Sequence, residues 1–206
     1  MKISAAHKKQ HRVNAGEFLS DTDLSQIWRI ESGALRIDSI LADGFLHFVC
    51  LCLPGDLIGS ELMTGFLGGI KVKAIVPTAL TEMTPDLDET HLLLKNSIAQ
   101  RWARCSEAVS LRSGSAPSRI QRFLLMLTNS RDNVVVESML LELPNFREIA
   151  SLVDSTPETV CRVIGLFLKE GMLHERKPLS VRVNSCNLRA YSAVDMKPGT
   201  RRYALT

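Results

Sequence analysis

The chain has 206 residues, 45% of them hydrophobic, with 25 Lys and Arg against 22 Asp and Glu for a formal net charge of +3. That length and apolar content suit one large domain or two small ones with filled cores. The longest apolar stretch, Phe45 to Leu53, contains His47 and is about half the length of a transmembrane helix, and Met1 to Arg12 has charges but no apolar core. A membrane span and a signal peptide are therefore not expected, and the expected location is the cytoplasm.

From Arg12 to about Met83 short apolar runs are broken by turn signals: Ala15-Gly16, Ser32-Gly33, Asp43-Gly44 and Pro54-Gly55-Asp56. This is the punctuation of antiparallel β structure. The turns then vanish. From about Asp88 to Arg112, Leu94, Ile98, Trp102, Cys105 and Val109 recur at spacings of four, four, three and four, which predicts a long amphipathic helix. Ser113-Gly114-Ser115-Ala116-Pro117 breaks it and reads as a hinge, followed by a helix over Ser118 to Asn129. The expected division is 1–87, 88–113 and 114–206.

The most informative segment is Asn145 to Leu173. Asn145 can cap a helix whose N3 residue is Glu148, a capping-box arrangement, with Ile149, Ala150, Leu152 and Val153 as its apolar face. Asp154 and Ser155 make a turn in which an Asx residue tolerates left-handed geometry. Thr156 followed by Pro157 is an N-cap with proline at N1, so a second helix starts there. Its Val160, Val163, Ile164, Phe167 and Leu168 recur with helical period, Glu158, Thr159, Cys161 and Arg162 face outward, and Gly171 stops it. Helix, turn, cap and second helix together predict a helix-turn-helix aimed at DNA.

In such a unit the N-terminal residues of the second helix meet base edges. Arg162 can fork onto guanine O6 and N7, and Glu158, one turn earlier, can accept from cytosine N4. Glu158, Thr159, Cys161 and Arg162 are the expected base contacts. The same Glu and Arg can instead pair with each other on a solvated helix, worth only about 0.2 to 0.5 kcal/mol. Downstream, HERKPLSVRVN reads as a β wing with Lys177-Pro178 at its tip and Val181 and Val183 on one face. Asn145, Arg147, Thr156, Arg176 and Lys177 are the expected phosphate contacts. Residues 1–113 hold 12 Lys and Arg against 13 Asp and Glu, whereas residues 114–206 hold 13 against 9, so the basic end is the one with the helix-turn-helix. Asp195 to Thr206, with Arg201 and Arg202, shows no periodicity and is expected to remain mobile.

The string TPETVCRVIGLFLKEGML resembles the recognition helix of the cAMP receptor protein and FNR (Crp/Fnr) family of bacterial transcription regulators. SGALRI at Ser32 to Ile37, DGFLHFVCLCLPGDLIGSEL at Asp43 to Leu62 and PSRIQRFLLML at Pro117 to Leu127 resemble the family's sensor and hinge-to-helix segments in the same order. The resemblance implies an α+β protein: an N-terminal antiparallel β-roll like that of cyclic-nucleotide-binding domains, a long dimerisation helix, and a C-terminal winged helix-turn-helix. It implies a homodimer joined through Leu94, Ile98, Trp102, Cys105 and Val109, reading a palindrome with TGA-type half-sites. Double-stranded DNA and RNA polymerase are the partners it implies. Pro157 stands where relatives carry an Arg that contacts a base, so the half-site is expected to be less constrained there.

The effector side matches the family less well. Gly59 and Glu61 fit the short helix that follows PGDxIG in cyclic-nucleotide binders, but the Arg-Ser pair that takes the cyclic phosphate falls by register at Gly68 and Gly69, and the adenine-contacting Thr-Ser at Arg104 and Cys105. A phosphate would be left largely uncompensated unless Lys71 or Lys73 turned inward. Cyclic AMP binding is therefore not expected. An FNR-type iron-sulfur site is not expected either, since the first cysteine is Cys50 and the N-terminal cluster of thiols is missing.

Cys50 and Cys52 share one face of a strand, expected to be the roll interior; they read either as small buried hydrophobes or as a metal, haem or redox pair. With Gly59, Glu61 and Arg104 they define the possible effector pocket. A cupin-type metalloenzyme is disfavoured because only His47 lies in the candidate strands, and no enzymatic activity, cofactor or metal is expected. The expected function is sequence-specific transcription regulation, the alternative being a sensor or interaction module whose helix-turn-helix does not read DNA.

Overall fold

The computed structural model describes residues 9–59, 69–84, 86–128, 138–177 and 180–191. Among these, the N-terminal part contains β1 (Gln10–Val13), α1 (Asp21–Leu24), β2 (Ile27–Ile40), β3 (Leu46–Cys52), β4 (Leu57–Ile58) and β5 (Ile70–Met83). All pairings are antiparallel, in the order β1-β5-β2-β3 with β4 also on β2. Three of the turn signals fall at turns, where Gly16, Gly44 and Gly55 have positive φ, but Ser32-Gly33 lies inside β2, where Gly33 at φ +91° marks an irregularity in the pairing with β5 rather than a turn. At Gly59 a side chain is excluded twice over, since φ is +86° and a Cβ would sit 1.8 Å from the Gln26 carbonyl oxygen.

Strand β3 buries both faces only at its C-terminal end, from Cys50 through Cys52 and on to Leu53, while Leu46 and His47 at its start are exposed. Cys50 and Cys52 point into one core with Trp28, Ile30, Leu35, Ile37, Ile58, Val72 and Ala74. Leu51 and Leu53 point the other way, into a second core shared with the C-terminal part. Strict alternation puts successive residues on opposite faces, so the part of the strand that lies between two cores needs apolar residues at consecutive positions.

The expected long helix is α2 (Leu87–Ser110), capped by the Asp86 side chain, which accepts from the Glu89 amide. It packs against β3. Its end is held by Arg122, which donates to the Ser110 and Ser113 carbonyls at 2.5 and 2.6 Å, satisfying orphan groups at a helix C-terminus. Gly114, at φ +87°, then redirects the chain into α3 (Ala116–Thr128).

The C-terminal part continues with β6 (Ser138–Glu142), α4 (Phe146–Leu152), α5 (Pro157–Lys169), β7 (Leu173–Lys177), β8 (Ser180–Asn184) and α6 (Ser185–Ala190). β8 lies between β6 and β7 in an antiparallel sheet. Val181 and Val183 are fully buried on one face of β8, as their spacing predicts. Strand β6 and helices α1 and α6 are not anticipated by the sequence reading: each is short, and α1 rests on a Ser20–Asp23 capping box rather than on hydrophobic period. The chain is a mixed α and β protein, and no helix among its described residues is long and apolar enough to cross a membrane.

Candidate nucleic-acid interface

Helices α4 and α5 form the unit anticipated from Asn145 to Leu173. The Asn145 side chain accepts from the Glu148 amide at 2.9 Å and starts α4. Asp154 adopts φ +49°, in the left-handed region that Asp and Asn reach more readily than other side chains. Ser155 donates to the Ala150 carbonyl, closing the turn. Thr156 then caps α5 by accepting from the Thr159 amide at 3.3 Å, with Pro157 in the first turn. A cap of this type is worth about 1 kcal/mol.

Packing fixes the roll of α5 about its own axis. Val160, Val163, Ile164 and Phe167 are buried, against Ile149, Ala150, Leu152 and Val153 of the preceding helix and turn and against α3. Burying each of these side chains contributes roughly 1.5 to 3 kcal/mol, so this face cannot be exchanged for the polar one. Glu158, Cys161 and Arg162 consequently face solvent, and Thr159 is half-buried, with its hydroxyl 3.2 Å from that of Thr156. Asn145, Arg147 and Thr156 are exposed along the same end of the unit.

Glu158 and Arg162 do not pair with each other. The Glu158 carboxyl is held below its ordinary range by a hydrogen bond from its own backbone amide and then by the Thr156 side chain. Among the described residues none engages the Arg162 guanidinium, which is left available to a ligand. The segment expected as a wing pairs antiparallel as β7 and β8, with Lys177 opposite Ser180. The side chains of Arg176 and Lys177, and the whole of Pro178, lie outside the described residues.

One expectation fails at α4. The Glu148 side chain does not reach back to close a capping box; it leaves the helix and meets the N-terminal sheet. Its Oε1 accepts from Arg36 Nη1 at 3.0 Å, and its Oε2 from Lys73 Nζ at 2.5 Å. Arg36 also donates to Asp38 at 2.7 and 2.8 Å and to Ser151 Oγ at 2.9 Å. Two cations on β2 and β5 are thus satisfied by one carboxylate on β2 and one on α4, in a largely buried cluster. The sequence carried a signal for this that went unread: Arg36 and Asp38 interrupt an apolar strand at i and i+2, and so share a face that must find charged partners.

The expected dimer seam is divided by the fold. Ile98, Trp102 and Val109 are 61%, 80% and 68% exposed, and Leu92, outside the expected set, is 63% exposed. Leu94 is half-buried, and Cys105 packs against the sheet core with Ala108. Cys105 is therefore removed from the expected seam: helical period alone assigned one stripe where α2 has two, one against the sheet and one open.

The expected effector residues are also redistributed. Cys50 and Cys52 are buried as anticipated, and Arg101 of α2 reaches them. Arg104 donates to Asp56 at 2.7 Å and to Glu107 at 2.8 Å, tying α2 to the Pro54-Gly55-Asp56 turn. It is committed to carboxylates and does not offer a free charge to an effector. Gly59 touches Gln26, Gly69 accepts from the Ile40 amide, and Glu61 and Gly68 lie outside the described residues. Lys73 points away from the cysteine face toward Glu148. Among the described residues no group of three or more His, Cys, Asp or Glu is placed to hold a metal ion.

The architecture that emerges is an antiparallel sheet leading through a long helix into a small domain that presents a polar helix face. No family model matches the chain. The transcriptional regulator LdrP of Thermus thermophilus is 24% identical over 159 residues, covering 76% of this chain and 82% of that protein. The transcriptional activator protein FnrA of Stutzerimonas stutzeri is 26% identical over 178 residues, covering 81% and 73%. Among solved structures, FixK2 from Bradyrhizobium japonicum superposes with a TM-score of 0.65 at 21% identity, covering 89% of this chain and 96% of that one. A CRP-family transcriptional regulator from Thermus thermophilus, TTHB099, gives 0.64 at 23% identity, covering 87% and 95%. In both sequence and fold the chain is similar to transcription regulators of the Crp/Fnr family.

Proposed function

We propose that the protein is a homodimeric, sequence-specific DNA-binding regulator that reads palindromic sites with TGA-type half-sites through a winged helix-turn-helix. The observation that carries this reading is the α5 surface: Glu158, Cys161 and Arg162 stand exposed on its first two turns while the opposite face is locked into the core. An unpaired guanidinium beside an ionised carboxylate offers five donors and an acceptor at the spacing of one helical turn, which suits a G·C pair and its neighbour in the major groove. Cys161 lies against the adjoining base, and Thr159 supports the cap. Asn145, Arg147, Thr156, Arg176 and Lys177 take phosphates, setting register without reading sequence.

Ile98, Trp102 and Val109, extended by Leu92, form the seam between two α2 helices, and two-fold symmetry places the recognition helices about one DNA turn apart. Operator binding does not depend on cyclic AMP. Its support is local: Arg104 is occupied by Asp56 and Glu107, and Lys73 by Glu148. RNA polymerase is the further partner the family reading brings, and the site of action is the cytoplasm.

The test is fluorescence anisotropy with a labelled palindromic duplex carrying TGA half-sites and with the same duplex scrambled. Preference for the palindrome, with affinity falling as salt rises, is expected. Equal affinity for both, or none for either, overturns the reading.

A further inference from the structure

Arg36 of β2 and Lys73 of β5 stand directly opposite each other in the antiparallel register, and Asp38 and Lys71 form the next pair on the same face. Like charges directly opposite destabilise a sheet. Asp38 is engaged by Arg36 Nε at 2.7 and 2.8 Å, so the anion that stands between the two cations comes from outside the sheet. It is Glu148 of α4, with Oε1 on Arg36 and Oε2 on Lys73. Ser151, one turn further along α4, accepts from the same Arg36 Nη1 at 2.9 Å. The arrangement also reaches the hinge: the Arg36 guanidinium lies 5.4 Å from the Phe48 ring, and that of Arg112, just before Ser113-Gly114, lies 5.5 Å from the same ring. The junction is apolar as well, since Ala34, Leu51 and Ile75 of the sheet share a core with Ile120, Phe123 and Ile149. Apolar burial adheres without choosing a direction. Donors fixed on two neighbouring strands and meeting one carboxylate do choose one.

We propose that Glu148, held by Arg36 and Lys73, is a positioning residue for DNA reading: the ionic contact fixes the helix-turn-helix in one orientation to α2, so that in the dimer the two recognition helices stand at operator spacing without an effector. This rests on the dimeric DNA reading given above. The latched arrangement leaves Asn145, Arg147, Thr156, Glu158 and Arg162 exposed, so it is an orientation competent to bind and not an occluded one. A unit free to turn about Gly114 would hold that orientation for only part of the time, and apparent affinity falls by the competent fraction. The loss falls on the palindrome. A single half-site is read by one unit, whatever its orientation to the rest of the dimer.

The test keeps the whole chain. In a Cys105→Ala, Cys186→Ser background a nitroxide is placed on exposed Cys161 of α5, and the dipolar distance between the two protomers is measured without DNA. With the latch intact one narrow distribution is expected at about one DNA turn, roughly 34 Å. Glu148→Gln and Lys73→Met should each broaden it. In unlabelled protein, both variants are expected to lose about tenfold in affinity for the palindromic duplex and to keep wild-type affinity for a single half-site. Glu148→Gln makes the chain more positive by one charge and Lys73→Met less, so a shared loss cannot be attraction to phosphate. If one variant fails to fold, as read by far-ultraviolet dichroism, the other decides alone. An equally narrow distribution in a folded variant, wild-type affinity for the palindrome, or an equal loss on half-site and palindrome overturns the proposal. A wild type with no dipolar distance, or with no preference for the palindrome, overturns instead the dimeric DNA reading, and does so before any variant is compared.

Discussion

Glu148 of α4 and Lys73 of β5, 75 residues apart in the chain, meet with Nζ 2.5 Å from Oε2. The contact fastens the helix before the proposed recognition helix to the N-terminal sheet, and Arg36 reinforces it at 3.0 Å. The polar face of α5 stays open while its supporting helix is held from behind.

Removing one partner of this cluster leaves the others buried without compensation. Glu148→Ala is expected to lower unfolding free energy by about 1 to 3 kcal/mol in urea titrations with unchanged slope. A double-mutant cycle with Lys73→Met should show coupling above about 0.5 kcal/mol. Additive effects would mean that the pair contributes no mutual stabilisation.

Arg162 and Arg147 should behave differently on DNA. Arg162→Ala is expected to cost about 1 to 3 kcal/mol on the preferred palindrome and to level the preference among half-site variants. Arg147→Ala should weaken all duplexes alike and lower the salt slope. A swap of these two behaviours, measured by anisotropy across a half-site library, would reverse the assignment of base and phosphate contacts.

A charge placed on the open stripe of α2 should separate the protomers. Ile98→Asp or Trp102→Asp changes residues that are 61% and 80% exposed within one protomer, so the fold should survive and far-ultraviolet dichroism should be unchanged. Sedimentation is expected to show monomers with weakened operator affinity. An undisturbed dimer would place the interface elsewhere.

Glu158 gives a pH signature. Its carboxyl is lowered from 4.5 by the helix N-terminus and Thr156, so its contribution to stability is fully present above the unfolded value and is lost as pH falls through the lower folded one. The melting difference between the wild type and Glu158→Gln should therefore be constant from weakly acidic to neutral pH and fade in stronger acid. A difference that instead grew on acidification would show that the folded protein favours the protonated form.

Cyclic nucleotides should leave the protein unchanged. Titration of cAMP or cGMP to millimolar levels is expected to alter neither melting temperature nor operator affinity, because a ligand shifts an equilibrium only by its differential affinity for the two states. A tenfold gain in operator affinity, about 1.4 kcal/mol of coupling, would locate an anchoring charge outside the residues described above.

Much of the α4–α5 unit was legible in the residues themselves, because local chemistry determines it. Asn145 and Thr156 cap helices with their own side chains, Asp154 tolerates a left-handed turn, Pro157 starts a helix, and the period of Val160, Val163, Ile164 and Phe167 sets which face turns outward. Each of these signals acts within a few residues. What tertiary structure decided is where charges and thiols found partners across long separations. Glu148 looked like a capping residue until Arg36 and Lys73 stood beside it; Cys105 looked like part of a dimer seam until the sheet covered it; and no local pattern announced that Arg101 of α2 reaches Cys50 and Cys52. Helical or strand period states which residues share a face, but not what that face meets. That depends on packing between segments far apart in the chain, and so appears only in the folded protein.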